Sequence, residues 1–233
     1  MSPSSSSKPC TSKDVLLYIP NLIGYSRVLA SLFSFFLMIF VPDQWLLALA
    51  SYVYSFAADL FDGMAARRFN QCSSFGGMLD MVTDRCSTLG LLFILYGEYG
   101  GVEQEHFGVY RMLFLLLAVL DISSHWCQMY STAALQIHHK SSEGNANRFF
   151  LVRWYYQSYP FFGYCCVSAE ITYVTMFALA HAAEEGLLQQ IARVLLKLCI
   201  PGCTVKQIVN VFQLTTSCNA VAEHDAQAKN KSK

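Results

Sequence analysis

Four aspartates lie close together in a chain that is otherwise strongly apolar. Asp59 and Asp62 are three positions apart, and Asp80 and Asp84 are four apart, so on helices each pair would share a face. Carboxylates at this density are costly beside hydrocarbon unless cations neutralise them. Oxygen ligands suit hard divalent ions such as Mg²⁺ or Mn²⁺. The spacing therefore predicts two acidic pairs that bind two divalent ions for phosphoryl-type transfer.

Small residues and a cation accompany these carboxylates. Gly63 and Ala66 follow Asp62 along the same predicted helix face, Arg67 extends that face, and Gly76 stands at the turn before the second acidic pair. A phosphate-bearing ligand could approach the backbone at Gly63, where there is no side chain. The alternative is that the aspartates are helix caps and solvated loop residues. Two such aspartates would be ordinary, whereas four at these spacings favour a binding site.

The composition predicts an all-α integral membrane protein. The chain has 233 residues, of which 54% are hydrophobic and 14% charged, and its mean hydropathy is +0.35. Soluble domains carry about 25% charged residues. We expect one membrane domain over 14–218, between polar tails at 1–13 and 219–233. The zero formal net charge gives no reason to expect a nucleic-acid partner.

Six apolar segments are long enough to be membrane helices. They cover residues 22–41, 45–61 (with helix continuing to 68), 77–96, 107–135, 155–180 and 187–214. Pro201-Gly202 interrupts the sixth segment and predicts a kink or a boundary there. The nine cysteines lie mostly inside apolar runs, which predicts neither disulfides nor a zinc site.

Basic residues predict the orientation of these helices, because cytosolic connections carry an excess of Lys and Arg. With six spans, most of the basic residues fall on one side of the membrane. Those residues are Lys8, Lys13, Arg27, Arg67, Arg68, Lys140, Arg148, Arg153, Lys229, Lys231 and Lys233. We therefore expect both termini and the aspartate cluster to face the cytosol.

The aspartates and their neighbours form a longer pattern, D-x2-D-G-x2-A-R-x8-G-x3-D-x3-D, over residues 59–84. In this pattern the chain resembles the CDP-alcohol phosphotransferases. The resemblance implies a six-helix membrane enzyme, commonly a homodimer, that uses two divalent ions. It also implies a reaction in which an alcohol displaces a cytidine nucleotide from a CDP-linked substrate.

Three further stretches, at 18–27, 78–88 and 120–126, resemble the eukaryotic phosphatidylinositol synthases within that family. This resemblance implies transfer of a phosphatidyl group from CDP-diacylglycerol to myo-inositol, with release of CMP. The resemblance also implies that the protein is located in the endoplasmic reticulum membrane, with the Golgi membrane as an alternative.

The resemblance also implies roles for single residues. Asp59 and Asp80 would bridge both ions, Asp62 would join the first ion, and Asp84 would join the second and act as general base. Residues implied in substrate binding are Gly63, Arg67 and Ser73 for CDP-diacylglycerol, Asn21 and Arg27 on the nucleotide side, and Lys140 and Arg153 for inositol.

Two other functions are compatible with parts of the sequence. The same chemistry could use another acceptor alcohol, such as serine or glycerol phosphate, because the aspartate pattern does not select the acceptor. A different class is an ion or proton transporter whose aspartates form a pathway. A pathway would place acidic residues at mid-bilayer on several helices, whereas these gather at one edge beside Gly63 and Arg67.

Overall fold

The computed structural model describes residues 10–103, 105–135, 158–184 and 186–231, and these ranges contain helices and no strand. The predicted all-α class is confirmed. Within these ranges seven α-helices follow one another: α1 Ser12–Leu16, α2 Ile19–Phe40, α3 Trp45–Arg68, α4 Ser74–Tyr99, α5 Phe107–Leu135, α6 Tyr159–His181 and α7 Leu187–Lys231. A short 3-10 helix, Pro42–Gln44, joins α2 to α3.

The chain forms two compact units, Met1–Ser87 and Thr88–Lys233. The first unit begins at a capping box, in which the Thr11 hydroxyl and amide both donate to the Asp14 carboxylate, at 2.7 and 2.8 Å. The hydrogen bond from the Thr11 side chain lowers the pKa of Asp14 below its ordinary value. This cap fixes the chain just before α2.

Helices α2 and α3 form a hairpin whose interface contains small and polar side chains. The Ser34 hydroxyl donates to the Ala48 carbonyl at 2.7 Å, and the Ser31 and Ser55 hydroxyls are 2.7 Å apart. Ala48 is completely buried, and so is Ser34. Small residues let two helix backbones approach closely, and their hydroxyls can bond across the contact. This contact positions the aspartates at the far end of α3.

In the second unit, α5, α6 and α7 surround buried polar groups. The Lys206 ammonium on α7 donates to the Asn210 side chain at 2.7 Å and lies 3.4 Å from His125 Nε2 on α5. The Gln207 amide donates to the Tyr173 hydroxyl on α6 at 3.1 Å. Buried polar groups need such partners, and here they tie the three helices together.

Helix α7 differs from the prediction at two places. Pro201 does not end the helix, which continues to Lys231, and residues 219–231 of the predicted polar tail belong to the same helix. The backbone at Gly202 packs against Ser168 of α6, and the Tyr164 hydroxyl donates to the Leu198 carbonyl at 2.9 Å. A neighbouring helix thus supports the turn that the proline weakens.

The apolar helices identify an integral membrane protein. Among the helices that the structure describes, four are long and apolar enough to cross a bilayer: α2, most of α5, α6 and α7. Helices α3 and α4, which carry the four aspartates, are not among them. The number of six spans and the limits of the membrane domain therefore stay predictions.

Candidate active site

All four aspartates converge on one guanidinium, that of Arg27 in α2. Its Nη1 atom lies 2.9 Å from Asp59 Oδ1, 2.5 Å from Asp62 Oδ2 and 2.9 Å from Asp80 Oδ1. Its Nη2 atom pairs with Asp84 Oδ1. The predicted meeting of the two acidic pairs is therefore present within the first unit, around a cation that the sequence pattern had not placed there.

The two acidic pairs are presented by helix geometry. Asp59 and Asp62 lie in the last three turns of α3, while Asp80 and Asp84 lie in the first three turns of α4. The residues between the helices form a short loop, in which Asn70 adopts a positive φ of 54°. The sharp reversal sets the C-terminal end of α3 beside the N-terminal end of α4, as the spacing predicted.

The aspartate cluster has the donor set of a hard-cation site. Asp59, Asp62 and Asp80 each offer one carboxylate oxygen, and these three oxygens lie within 4.8 Å of one another. Three oxygens from separate carboxylates suit Mg²⁺ or Mn²⁺ better than softer metals. The residues present therefore fit a divalent ion, and Asp84 stands beside this group of three through its contact with Arg27.

A cavity of about 200 Å³ opens next to the cluster. Asp62 and Asp80 form part of its wall, and Gly63, Gly76 and Gly77 contribute backbone surface. The other lining residues are Pro20, Asn21, Gly24, Ala66, Gln71, Cys72, Ser73 and Leu79. The predicted ligand residues Gly63 and Ser73 and the first-span residue Asn21 are thus brought together with two of the aspartates.

The glycines keep this cavity open to different degrees. A methyl group at Gly76 would lie 3.1 Å from Asn21 Oδ1 and 3.2 Å from Ser73 Oγ, which is tighter than ordinary contact. At Gly63 the nearest atom would be Arg67 Nη1, at 3.5 Å. The Arg67 side chain lies back along α3 beside that glycine and is not part of the cavity wall.

Hydrogen bonds hold the cavity wall in place from both sides. The Asn21 side-chain amide donates to the Val15 carbonyl at 2.5 Å, and the Gln71 side chain accepts from the Ile19 amide at 2.9 Å. The Ser73 hydroxyl accepts from the Gly76 amide at 3.0 Å and so caps the start of α4. The loop after α3 is thereby attached to the start of α2.

Some predicted residues stand apart from this site. Lys140 and Arg153, the candidates for inositol binding, lie outside the residues that the structure describes. Arg27 was counted among the basic residues that indicate orientation and was also implied on the nucleotide side. It is absent from the lining of the cavity, is 1% exposed and pairs with the aspartates. The signal for this role was an arginine at the ninth position of an apolar helix, because a charge there needs partners.

Sequence comparisons find a matching family and related proteins for this chain. A profile described as CDP-alcohol phosphatidyltransferase matches residues 17–221. CDP-diacylglycerol–inositol 3-phosphatidyltransferase 1 of Arabidopsis thaliana is 38% identical, over 93% of this chain and 94% of its own. The CDP-diacylglycerol–inositol 3-phosphatidyltransferase of Saccharomyces cerevisiae is 35% identical, over 99% of this chain and 98% of its own. The Homo sapiens protein of that name is 34% identical, over 95% of this chain and 99% of its own. No solved structure matches the chain.

Proposed function

The chain belongs to the CDP-alcohol phosphatidyltransferase family, and we propose that it is a phosphatidylinositol synthase, which transfers a phosphatidyl group from CDP-diacylglycerol to myo-inositol and releases CMP. The observation that carries this proposal is the convergence of Asp59, Asp62, Asp80 and Asp84 beside a cavity. The names and coverage of the plant, yeast and human relatives support inositol as the acceptor.

We assign the four aspartates as ligands of two divalent ions, Mg²⁺ or Mn²⁺. Asp59, Asp62 and Asp80 would hold the first ion, which agrees with the short distances among their oxygens. Asp84, with Asp59 and Asp80, would hold the second. Bound there, the ions would neutralise charge on the pyrophosphate and on the departing CMP.

The cavity residues bind and orient the CDP-linked headgroup. The backbone at Gly63 and Gly76 allows a phosphate to approach closely, and the Ser73 and Asn21 side chains offer polar contacts in the same wall. A cavity of about 200 Å³ takes only a part of this headgroup. Arg67, which is exposed at the end of α3, supplies positive charge for the rest of it.

Asp84 acts as the general base. Its side chain is 30% exposed, so an alcohol can reach it, and the pairing of Oδ1 with Arg27 fixes its orientation. A hydroxyl of myo-inositol attacks the phosphorus that bears diacylglycerol. The new oxygen–phosphorus bond forms as the bond to the bridging pyrophosphate oxygen breaks, and Asp84 takes the hydroxyl proton. The electron pair of the broken bond leaves with CMP.

The remaining assignments concern the surroundings of the enzyme. We propose that Lys140 and Arg153 contact inositol, that the protein is a homodimer, and that the acyl chains of CDP-diacylglycerol stay in the bilayer. We place the termini and the aspartates on the cytosolic side of the endoplasmic reticulum, with the Golgi as the alternative. The distribution of Lys and Arg along the sequence supports this orientation.

The proposal is tested by CMP release from CDP-diacylglycerol with the purified full-length protein. We expect release to depend on myo-inositol and to stop when a chelator removes divalent ions. Parallel reactions contain serine or glycerol phosphate in place of inositol, and Asp43→Asn, an exposed aspartate outside the cluster, is the control variant. CMP release with serine or glycerol phosphate, but not with inositol, would overturn the assignment of inositol as the acceptor. Ion flux into vesicles without CMP release would favour a transporter.

A further inference from the structure

Arg27 occupies the centre of the aspartate cluster and is almost completely enclosed. It is 1% exposed, and its two terminal nitrogens divide the carboxylates between them. Nη1 contacts Asp59, Asp62 and Asp80, whereas Nη2 contacts Asp84. The terminal nitrogens of the planar guanidinium diverge, and they therefore join α3 to both aspartates of α4. The compact ammonium group of a lysine could not reach all of these carboxylates.

A second set of contacts fixes the guanidinium from behind. Its Nε–H donates to the Ser55 carbonyl at 3.1 Å, and the Ser55 hydroxyl donates to the Arg27 carbonyl at 2.9 Å. The Ser31 hydroxyl lies 2.7 Å from the Ser55 hydroxyl and 2.8 Å from that of Ser87 on α4. Ser31 and Ser55 are themselves buried. The Arg27 guanidinium is therefore held by contacts with both α3 and α4.

We propose that Arg27 is a positioning residue: its guanidinium holds the four carboxylates in the arrangement that binds divalent ions, and it stays in place when the ions bind. This inference rests on the proposed function, in which the same aspartates are the metal ligands. Each carboxylate has two oxygens, so one can pair with the guanidinium while the other faces an ion.

The exposure of the carboxylates agrees with this division. The side chains of Asp59, Asp80 and Asp84 are 35%, 46% and 30% exposed, although each pairs with a residue that is nearly inaccessible. Arg27 thus meets these carboxylates from the protein side, and their other side stays open to solvent. An ion can reach the cluster without displacing the arginine.

Two effects of Arg27 on divalent ions oppose each other. Its charge repels an incoming cation, so removing it could tighten binding. Its contacts also keep four mutually repelling carboxylates together, so removing it would let them separate. The enclosure of the guanidinium and its hydrogen bond to the Ser55 carbonyl favour the second effect. Residues that orient metal ligands typically change metal affinity by about 10–100-fold when they are replaced.

The test is Mn²⁺ binding to the full-length protein in detergent, measured by electron paramagnetic resonance without substrate. We expect Arg27→Gln to weaken Mn²⁺ binding at least about tenfold. Arg27→Lys keeps the positive charge but lacks the two diverging terminal nitrogens of the guanidinium. We therefore expect it to weaken Mn²⁺ binding by a smaller factor than Arg27→Gln. The matched control is Arg68→Gln, which removes one exposed positive charge at the end of α3 and should bind Mn²⁺ as the wild type does.

The outcomes separate this inference from the proposed function. Wild-type or tighter Mn²⁺ binding by Arg27→Gln would overturn the positioning role. If Arg27→Gln does not fold, the Arg27→Lys variant is the test of the positioning role. Mn²⁺ binding by Arg27→Lys equal to that of the wild type would then overturn the role. A wild-type protein that binds no Mn²⁺ would contradict the metal assignment itself, whatever the variants do.

Discussion

Asp84 differs from the other three aspartates in its surroundings. It lies outside the group of three oxygens that are within 4.8 Å of one another. Its Oδ1 pairs with Nη2 of Arg27, and its Oδ2 lies 3.5 Å from Arg85 Nη2. Asp84 Oδ1 is thus held by Arg27, while Oδ2 has a longer contact with the Arg85 guanidinium. This asymmetry suits a residue that both joins the ion site and exchanges a proton.

Asp84→Asn should abolish turnover while CDP-diacylglycerol binding largely remains. An amide has nearly the shape of the carboxylate but cannot accept the proton of the inositol hydroxyl. Loss of a general base typically lowers the rate by about 10²–10⁴-fold. CMP release and binding of the CDP-lipid are measured on the same preparation, with Asp43→Asn as the control. A wild-type rate in Asp84→Asn would exclude the base assignment.

Gly76→Ala should weaken binding of CDP-diacylglycerol more than that of inositol. The added methyl group would crowd Asn21 and Ser73 at 3.1 and 3.2 Å, and Asn21 is already held by the Val15 carbonyl. We expect the KM for the CDP-lipid to rise about tenfold, which corresponds to about 1.4 kcal/mol.

Steady-state kinetics with each substrate varied in turn measures the effect of Gly76→Ala. The control is Gly97→Ala on the same helix, where a methyl group would meet no described atom within 4 Å. Equal increases in both KM values, or an increase with Gly97→Ala as well, would argue against a role of this cavity in nucleotide binding.

The site residues differ in how far the sequence could predict them. The four aspartates were predictable because i, i+3 and i, i+4 spacings share a helix face and like charges need a common cation. The contacts of Arg27 with all four were not, because they depend on how α2 packs against α3 and α4. That packing uses small and polar residues at three- and four-residue spacing, such as Ser31 on α2 and Ser55 on α3, and the hydropathy that identifies membrane helices does not show which helix they face.

At the scale of helices, boundaries set by local chemistry were predicted well. Helix α5 covers Phe107–Leu135, as the apolar pattern indicated, and α3 begins at Trp45 directly after the Pro42–Gln44 turn. Helix α7 was predicted less well, because Pro201 favours an interruption locally. Contacts with α6 outweigh this local preference, and the helix continues to Lys231.

Gly202→Ala should destabilise the contact between α6 and α7. The new methyl carbon would lie 2.6 Å from Ser168 Oγ and 2.8 Å from Tyr164 Cε1, so one helix must move. Overpacking of this kind costs about 1–3 kcal/mol. Thermal unfolding in detergent measures it, and Gly163→Ala on α6, which would contact nothing described within 4 Å, is the matched control. An unchanged midpoint in Gly202→Ala would show that this close contact does not stabilise the protein.

At the scale of the whole molecule, the described helices combine apolar surfaces with a charged site in the first unit. On α2, apolar side chains such as Leu29, Leu32 and Phe36 are exposed, while Arg27, Ser31 and Ser34 are buried. A soluble protein would show the opposite pattern. The membrane class was therefore predictable from composition, whereas the number of spans depends on where α3 and α4, with their charges, meet the bilayer.

We propose that the aspartate cluster holds two divalent ions. The most direct test counts Mn²⁺ bound per chain, by electron paramagnetic resonance, in the wild type and in Asp80→Asn. We expect about two ions in the wild type and fewer in Asp80→Asn, because Asp80 is assigned to both ions. A wild-type chain that binds no Mn²⁺, or an Asp80→Asn chain that binds as many ions as the wild type, would contradict the claim.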